Sequence, residues 1–311
     1  MKIRHFLSIN ELDPDSLSYL VERSIAMSRG EGERARPLAG KIVGTYFRRS
    51  STRTRTGFTV GALRLGAQTI AYGPDDLQIV TGETIHDTGR VLSGFLDALV
   101  IRTNDSVAEM HALADQDKMA VINAMSENEH PTQAIADLAT IREALGRLDD
   151  VHVMYIGEGN NTAVALALAI SRIRGMRLTL VTPKGYGLPA SALEQSQESA
   201  GRHGACIQQQ HDLNKLSKGV DVVYTTRWQT MGEPKPDSDW RARFEPYRVT
   251  PEFMAAVSKP SGTVFLHDLP AIRGSEVVDA VLDGPQSLAF RQAWHKMNSA
   301  MAILTWCLTG E

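Results

Sequence analysis

Between residues 47 and 55 the chain reads FRRSSTRTR, with four arginines, two serines and two threonines directly after the apolar run KIVGTY. Such residues, placed where a strand hands over to a helix, suit a small anion. The free N–H groups of a helix start and its dipole attract negative charge. Ser51 and Thr52 add neutral donors, Arg53 a charge-assisted fork, and Thr54 a further hydroxyl. A helix cap followed by solvated arginines would use the same residue types, as would a grip on nucleic acid. Two other places carry similar chemistry. Arg102 closes the apolar run DALVI, and His130 and Gln133 flank Pro131 in ENEHPTQAIAD. Proline is favoured at the first position of a helix, and an imidazole and a carboxamide there can hydrogen-bond a substrate carbonyl.

The elements that must position these residues alternate in type. Nine β-rich runs, at 41–47, 67–73, 97–103, 119–125, 151–157, 177–183, 205–210, 221–226 and 263–268, are separated by helix-like segments such as TGFTVGALRLG and PTQAIADLATIREALG. That alternation predicts an α/β protein with two doubly wound parallel-sheet domains, residues 1–140 and 141–311. The last helical run, about 287–309, has no strand after it and is expected to pack back on the first domain. In open α/β sheets, ligands bind at the carboxyl ends of the strands, which is where the candidate residues fall.

Composition narrows the classes. A length of 311 residues fits two domains. A formal net charge of −3 argues against a nucleic-acid binder, and the arginines at 48–55 are too local for one. Cys206 and Cys307 are the only cysteines, too few for a disulfide framework or a cysteine-based zinc site. The N-terminal residues lack a signal-peptide core and no run approaches the length of a membrane span, so a soluble cytoplasmic protein is expected, with no membrane partner.

Taken together, the motifs resemble the aspartate/ornithine carbamoyltransferase family. The matching residues are Phe47 and Ser51–Arg55, then Thr81-Gly82-Glu83-Thr84 with Asp87-Thr88, Arg102, His130-Pro131-Thr132-Gln133, and His267-Asp268-Leu269-Pro270. Their order and spacing agree over nearly the whole chain. The resemblance implies a domain for carbamoyl phosphate and a domain for an amino-acid acceptor. It also implies a homotrimer with sites between subunits, and neither metal nor organic cofactor. Ser51, Thr52, Arg53 and Thr54 would hold the phosphate, and Arg102 would span phosphate and carbonyl. His130 and Gln133 would orient the carbamoyl group, and Lys296 would stand beside it. Arg53, Thr54, Arg102 and His130 form the expected catalytic set. Gln78 would be lent to a neighbouring subunit, and Leu269, before a cis proline, would meet the carbamoyl NH₂ through its carbonyl.

The acceptor segments depart from both branches. Gly157-Glu158-Gly159-Asn160-Asn161 has the ornithine layout, in which the second asparagine, Asn161, meets an α-carboxylate. Thr226 stands where the ornithine enzymes hold the α-ammonium with an aspartate, Thr230 replaces their serine, and Met231 is retained. Arg227 and Gln229 occupy positions the aspartate enzymes use for carboxylates. Asp268 stands where the ornithine enzymes carry cysteine. These exchanges point to a diamino acid other than ornithine, such as 2,3-diaminopropionate, with ornithine as the alternative. A non-catalytic relative that only binds these ligands is a third reading. A dinucleotide-binding enzyme is disfavoured, because VMYIGEGNNT puts Thr162 where the fingerprint needs its third glycine.

Overall fold

The structure, a computed structural model, describes residues 3–310 apart from 33, 230–234 and 236. Among the described residues nine strands form: β1 (Ile42–Phe47), β2 (Gln68–Tyr72), β3 (Ala98–Arg102), β4 (Ala120–Met125), β5 (His152–Ile156), β6 (Arg177–Val181), β7 (Cys206–Gln210), β8 (Val222–Thr225) and β9 (Val264–His267). Each lies within one of the nine runs read from the sequence. The helices are α1 (Pro14–Ser28), α2 (Arg53–Arg64), α3 (Ile85–Leu92), α4 (Val107–Leu113), α5 (Pro131–Leu145), α6 (Asn161–Ile170), α7 (Ala190–His203), α8 (Trp240–Phe244), α9 (Pro251–Val257), α10 (Asp279–Leu282) and α11 (Ala289–Thr309).

The chain divides into two compact units, one of Met1–Ala139 with Trp294–Glu311 and the other of Thr140–Ala293. The boundaries fall inside α5 and α11. The first unit holds a parallel sheet in the order β2-β1-β3-β4, the second a parallel sheet in the order β7-β6-β5-β8-β9. Central parallel strands are covered on both faces and therefore read as continuous apolar runs. β5 and β8, inside their sheet, are buried throughout, and so is β4, an edge strand whose free side is bridged by Phe6 at Ile122. The edge strands β2 and β7, by contrast, are only partly covered, which accounts for the polar side chains of QTIAY and CIQQQ.

Residues 294–311, grouped with the second domain when the sequence is read in order, make their contacts with the first unit. Two glycines on α2 permit this. A Cβ on Gly57 would lie 3.3 Å from the Lys296 carbonyl oxygen, and one on Gly61 would lie 2.9 Å from Cγ of Met301. α2 and α11 thus approach backbone to backbone, and Lys296 is carried to the side of the arginine-rich turn. No helix among the described residues is long and apolar enough to cross a membrane.

Candidate functional site

In each unit the sheet reverses its direction of growth once, and the chemistry gathers there. In the first, β1 lies between β2 and β3, with Phe47 paired to Arg102 at the strand ends. The turn after β1 opens α2, whose first residue is Arg53. Thr52 precedes it with no side-chain capping bond, so its hydroxyl is not used to close the helix on itself. Ser51 and Arg53 are half-buried and Thr54 is buried. Arg102 reaches across from β3 and its Nη1 donates to the Thr54 hydroxyl at 3.5 Å. His130, 4% exposed, ends the loop after β4 and immediately precedes α5.

The charges around His130 define the character of this pocket. Burial pushes its basicity well below the usual 6.5, and Lys296, Arg102 and Arg53 push it further in the same direction. Three cations converge on one neutral imidazole. The arrangement resists a proton and suits an anion. A stability consequence follows with a definite sign. The folded protein keeps His130 neutral, whereas the unfolded chain protonates it near 6.5. Below that pH unfolding takes up a proton, so His130 costs about 1.4 kcal/mol of stability per pH unit, and above it nothing. Urea unfolding between pH 5 and 7 is expected to show a shallower pH dependence in His130→Asn than in the parent; identical slopes would contradict it.

Gln133 lies in the first turn of α5, 1% exposed. Its Nε2 donates to Oδ1 of Asp137 at 2.7 Å, while its Oε1 is buried with no hydrogen-bond partner among the described residues. Gln78, expected to serve a neighbouring subunit, is exposed on a short 3-10 turn with its carboxamide oxygen bonded to the Thr81 hydroxyl. Within a single chain it is a surface residue.

In the second unit the reversal lies between β5 and β8. The turn after β5 depends on glycine twice. Gly157 has φ 122°, and a Cβ on Gly159 would lie 2.4 Å from the backbone of Gly187. Asn160 caps α6 by accepting from the N–H groups of Thr162 and Ala163, which leaves Asn161 as the first helical residue. After β8, Thr226 is 2% exposed and donates to Oδ1 of Asp268 at 2.9 Å. Thr162 donates to the other oxygen, Oδ2, at 3.1 Å. Asn160 completes the group, its Nδ2 lying 3.5 Å from the Thr226 hydroxyl.

His267 is 3.5 Å from Asp268, close enough to suggest an ion pair. The hydrogen bonds argue otherwise. Its Nδ1 accepts from the Leu269 N–H at 2.8 Å and so carries no proton, and its Nε2 faces Glu276 at 3.3 Å. The Asp268 carboxylate is therefore held by two hydroxyls and not neutralised by the adjacent histidine. Leu269-Pro270 is a cis peptide bond.

Arg227 and Gln229 follow Thr226 and are half-buried, and Nε of Arg227 is buried without a partner among the described residues. Trp228, between them, packs on Phe244 with ring centroids 5.5 Å apart. Thr230 and Met231 lie outside the described residues. The sequence reading passed over Lys235, which pairs with Glu158 and lies 4.9 to 5.7 Å from the rings of Tyr186, Trp240 and Phe244. It also passed over Asp137, whose signal was available as an acid one helical turn beyond Gln133. Among the described residues no cluster of three or more His, Cys, Asp or Glu could hold a metal ion.

Comparison with known proteins decides the family. Residues 4–143 match the model of the aspartate/ornithine carbamoyltransferase carbamoyl-phosphate-binding domain, and residues 149–307 match that of the Asp/Orn-binding domain. The chain belongs to the aspartate/ornithine carbamoyltransferase family. It is 39% identical over 312 residues to the ornithine carbamoyltransferase of Caldicellulosiruptor saccharolyticus, covering 99% of this chain and 100% of the relative. The solved ornithine carbamoyltransferase of Pyrococcus furiosus superposes with a TM-score of 0.91 at 33% identity, covering 100% of this chain and 98% of that one. That of Gloeobacter violaceus gives 0.85 at 33%, covering 99% and 100%. The likeness lies on the ornithine side of the family, and the class is that of a transferase.

Proposed function

We propose that this carbamoyltransferase-family chain moves the carbamoyl group of carbamoyl phosphate to the side-chain amine of a diamino acid, with ornithine the first acceptor to test. The observation that carries the donor half is the convergence of Arg53, Arg102 and Lys296 on a neutral His130 at the strand ends. Ser51, Thr52, Arg53 and Thr54 take the phosphate, and Arg102 bridges phosphate and carbonyl. His130, Gln133, Lys296 and the Leu269 carbonyl serve the carbamoyl group. The amine nitrogen bonds to the carbonyl carbon and negative charge moves onto its oxygen. The carbon–oxygen bond to phosphate then breaks, and the departing phosphate accepts the amine proton. Donors fixed where charge develops stabilise the transition state more than the ground state. No side chain need act as the nucleophile.

For the acceptor, the relatives' names favour ornithine over the other diamino acids expected from the sequence. Asn161 at the start of α6 suits an α-carboxylate, and Asp268 an ammonium. A second reading, a shorter diamino acid such as 2,3-diaminopropionate, is kept by one observation. The carboxylate is at Asp268, bonded to Thr226, and no longer at position 226 itself. Arg227, Gln229, Thr230 and Met231 complete the proposed acceptor contacts. Phosphate release from carbamoyl phosphate across ornithine, its shorter homologues and aspartate, with mass detection of the ureido product, tests the proposal. Release with none of them would leave a binder. The double substitution Thr226→Asp and Arg227→Val is expected to raise kcat/KM for ornithine relative to 2,3-diaminopropionate by about tenfold or more, the value of one charge-assisted bond; an unchanged ratio would remove the second reading. We further propose a homotrimer with Gln78 completing a neighbouring subunit's site.

A further inference from the structure

Gln133 is fixed in a particular sense. A carboxamide has one donor end and one acceptor end, and a half-turn exchanges them. At 2.7 Å from Oδ1 of Asp137 only the NH₂ end is tolerated, because a carboxylate accepts hydrogen bonds and would repel a carbonyl oxygen. Asp137 is 0% exposed and sits one turn along α5 on the same face, so the relation is held by a helix and not by a loop. The end of Gln133 left over is Oε1, buried and with no partner among the described residues. A buried acceptor without a donor carries a desolvation cost that a ligand N–H would relieve.

We infer that Asp137 is a positioning residue. By holding the NH₂ of Gln133 it presents Oε1 as an acceptor to the carbamoyl nitrogen, and so selects a carbamoyl donor over an acyl phosphate of the same shape. The inference rests on the carbamoyl-phosphate reading above and deepens it. The carbonyl oxygen of that substrate is an acceptor and belongs with Thr54, Arg102 and His130. Its NH₂ supplies donors, and Gln133 faces it with the complementary group. Asp137 touches no substrate; it acts through the amide.

Acetyl phosphate is the discriminating probe, since it replaces the carbamoyl NH₂ by a methyl group and keeps the phosphate and the carbonyl. Its Ki as a competitor is compared with the KM for carbamoyl phosphate. The parent is expected to favour the carbamoyl compound by about tenfold or more, the worth of one buried hydrogen bond. Asp137→Asn lets the Gln133 amide turn either way, and with the two senses about equally populated the preference is expected to fall by about twofold. Gln133→Glu places two carboxylates together and is expected to be worse still. Combining Gln133→Glu with Asp137→Asn restores a donor facing an acceptor and leaves a carboxylate oxygen toward the substrate, so preference should recover above that of Gln133→Glu. A merely structural Asp137 predicts the opposite, with the two losses adding and the preference untouched in Asp137→Asn; that pattern overturns the inference. Gln133→Met, which removes the amide and leaves Asp137, guards against a misfolded Asp137 variant. It must lose the preference, and full retention overturns the inference equally. A parent that neither consumes carbamoyl phosphate nor is inhibited by acetyl phosphate would instead sink the functional reading beneath it.

Discussion

Arg53→Ala is expected to lower kcat by two to three orders of magnitude, with little loss of folded stability. Arg53 is the first residue of α2 and half-buried, so alanine leaves a good helix former in a helix start and no cavity in a core. What is lost is one of the three cations gathered at His130. A single donor aimed at developing charge is worth about 2.7–4 kcal/mol in comparable sites, or 10² to 10³ in rate. Because phosphate gains charge as it leaves, the loss should fall mainly on kcat rather than KM. Steady-state kinetics at saturating amine would settle the matter, and turnover within a few-fold of the parent would mean the phosphate lies elsewhere.

Asp268→Asn is expected to raise the KM for the acceptor by about ten- to a hundredfold while changing the KM for carbamoyl phosphate little. Asparagine keeps the shape and can still accept from Thr226, whose hydroxyl bonds Oδ1 at 2.9 Å. The charge is removed, and the Thr162 hydroxyl, which donates to Oδ2, meets an NH₂ in its place and must turn to accept. A charged hydrogen bond contributes about 1.5–3 kcal/mol, and tenfold in affinity corresponds to about 1.4 kcal/mol. His267 cannot make up the difference, since its Nδ1 lone pair is occupied by the Leu269 N–H. Should the acceptor KM stay put, the carboxylate serves only to tie β8 to β9 and the ammonium is read by another group.

The nine strands were legible because parallel strands covered on both faces are written as unbroken apolar runs bounded by turns, IVGTYF and HVMYI among them. The end of one such run then located Arg102 directly. α1 was not anticipated, although Asp13 caps it and Pro14 opens it; a helix with no motif residue offers nothing to a search led by chemistry. The close passage of α2 and α11 was also invisible, because GFTVG reads as an ordinary helix until the partner that needs its bare backbone is known. Asp268 was singled out by position, but its two hydroxyl partners come from Thr162 and Thr226, far apart in the chain, and no spacing rule connects them. The orientation of Gln133 could not be read at all. It depends on which end of an amide meets a carboxylate, a fact of three dimensions.

The placement of Trp294–Glu311 in the first unit has a consequence for how the protein is made. A ribosome that has finished residue 139 has released only part of what that unit requires, with the bare flank of α2 at Gly57 and Gly61 still open. Final consolidation of the amino-terminal half must wait until residues 294–311 have been made and can cover it. Deleting that segment would therefore damage the half encoded first, and the two units made separately would complement each other only if residues 294–311 travelled with the beginning.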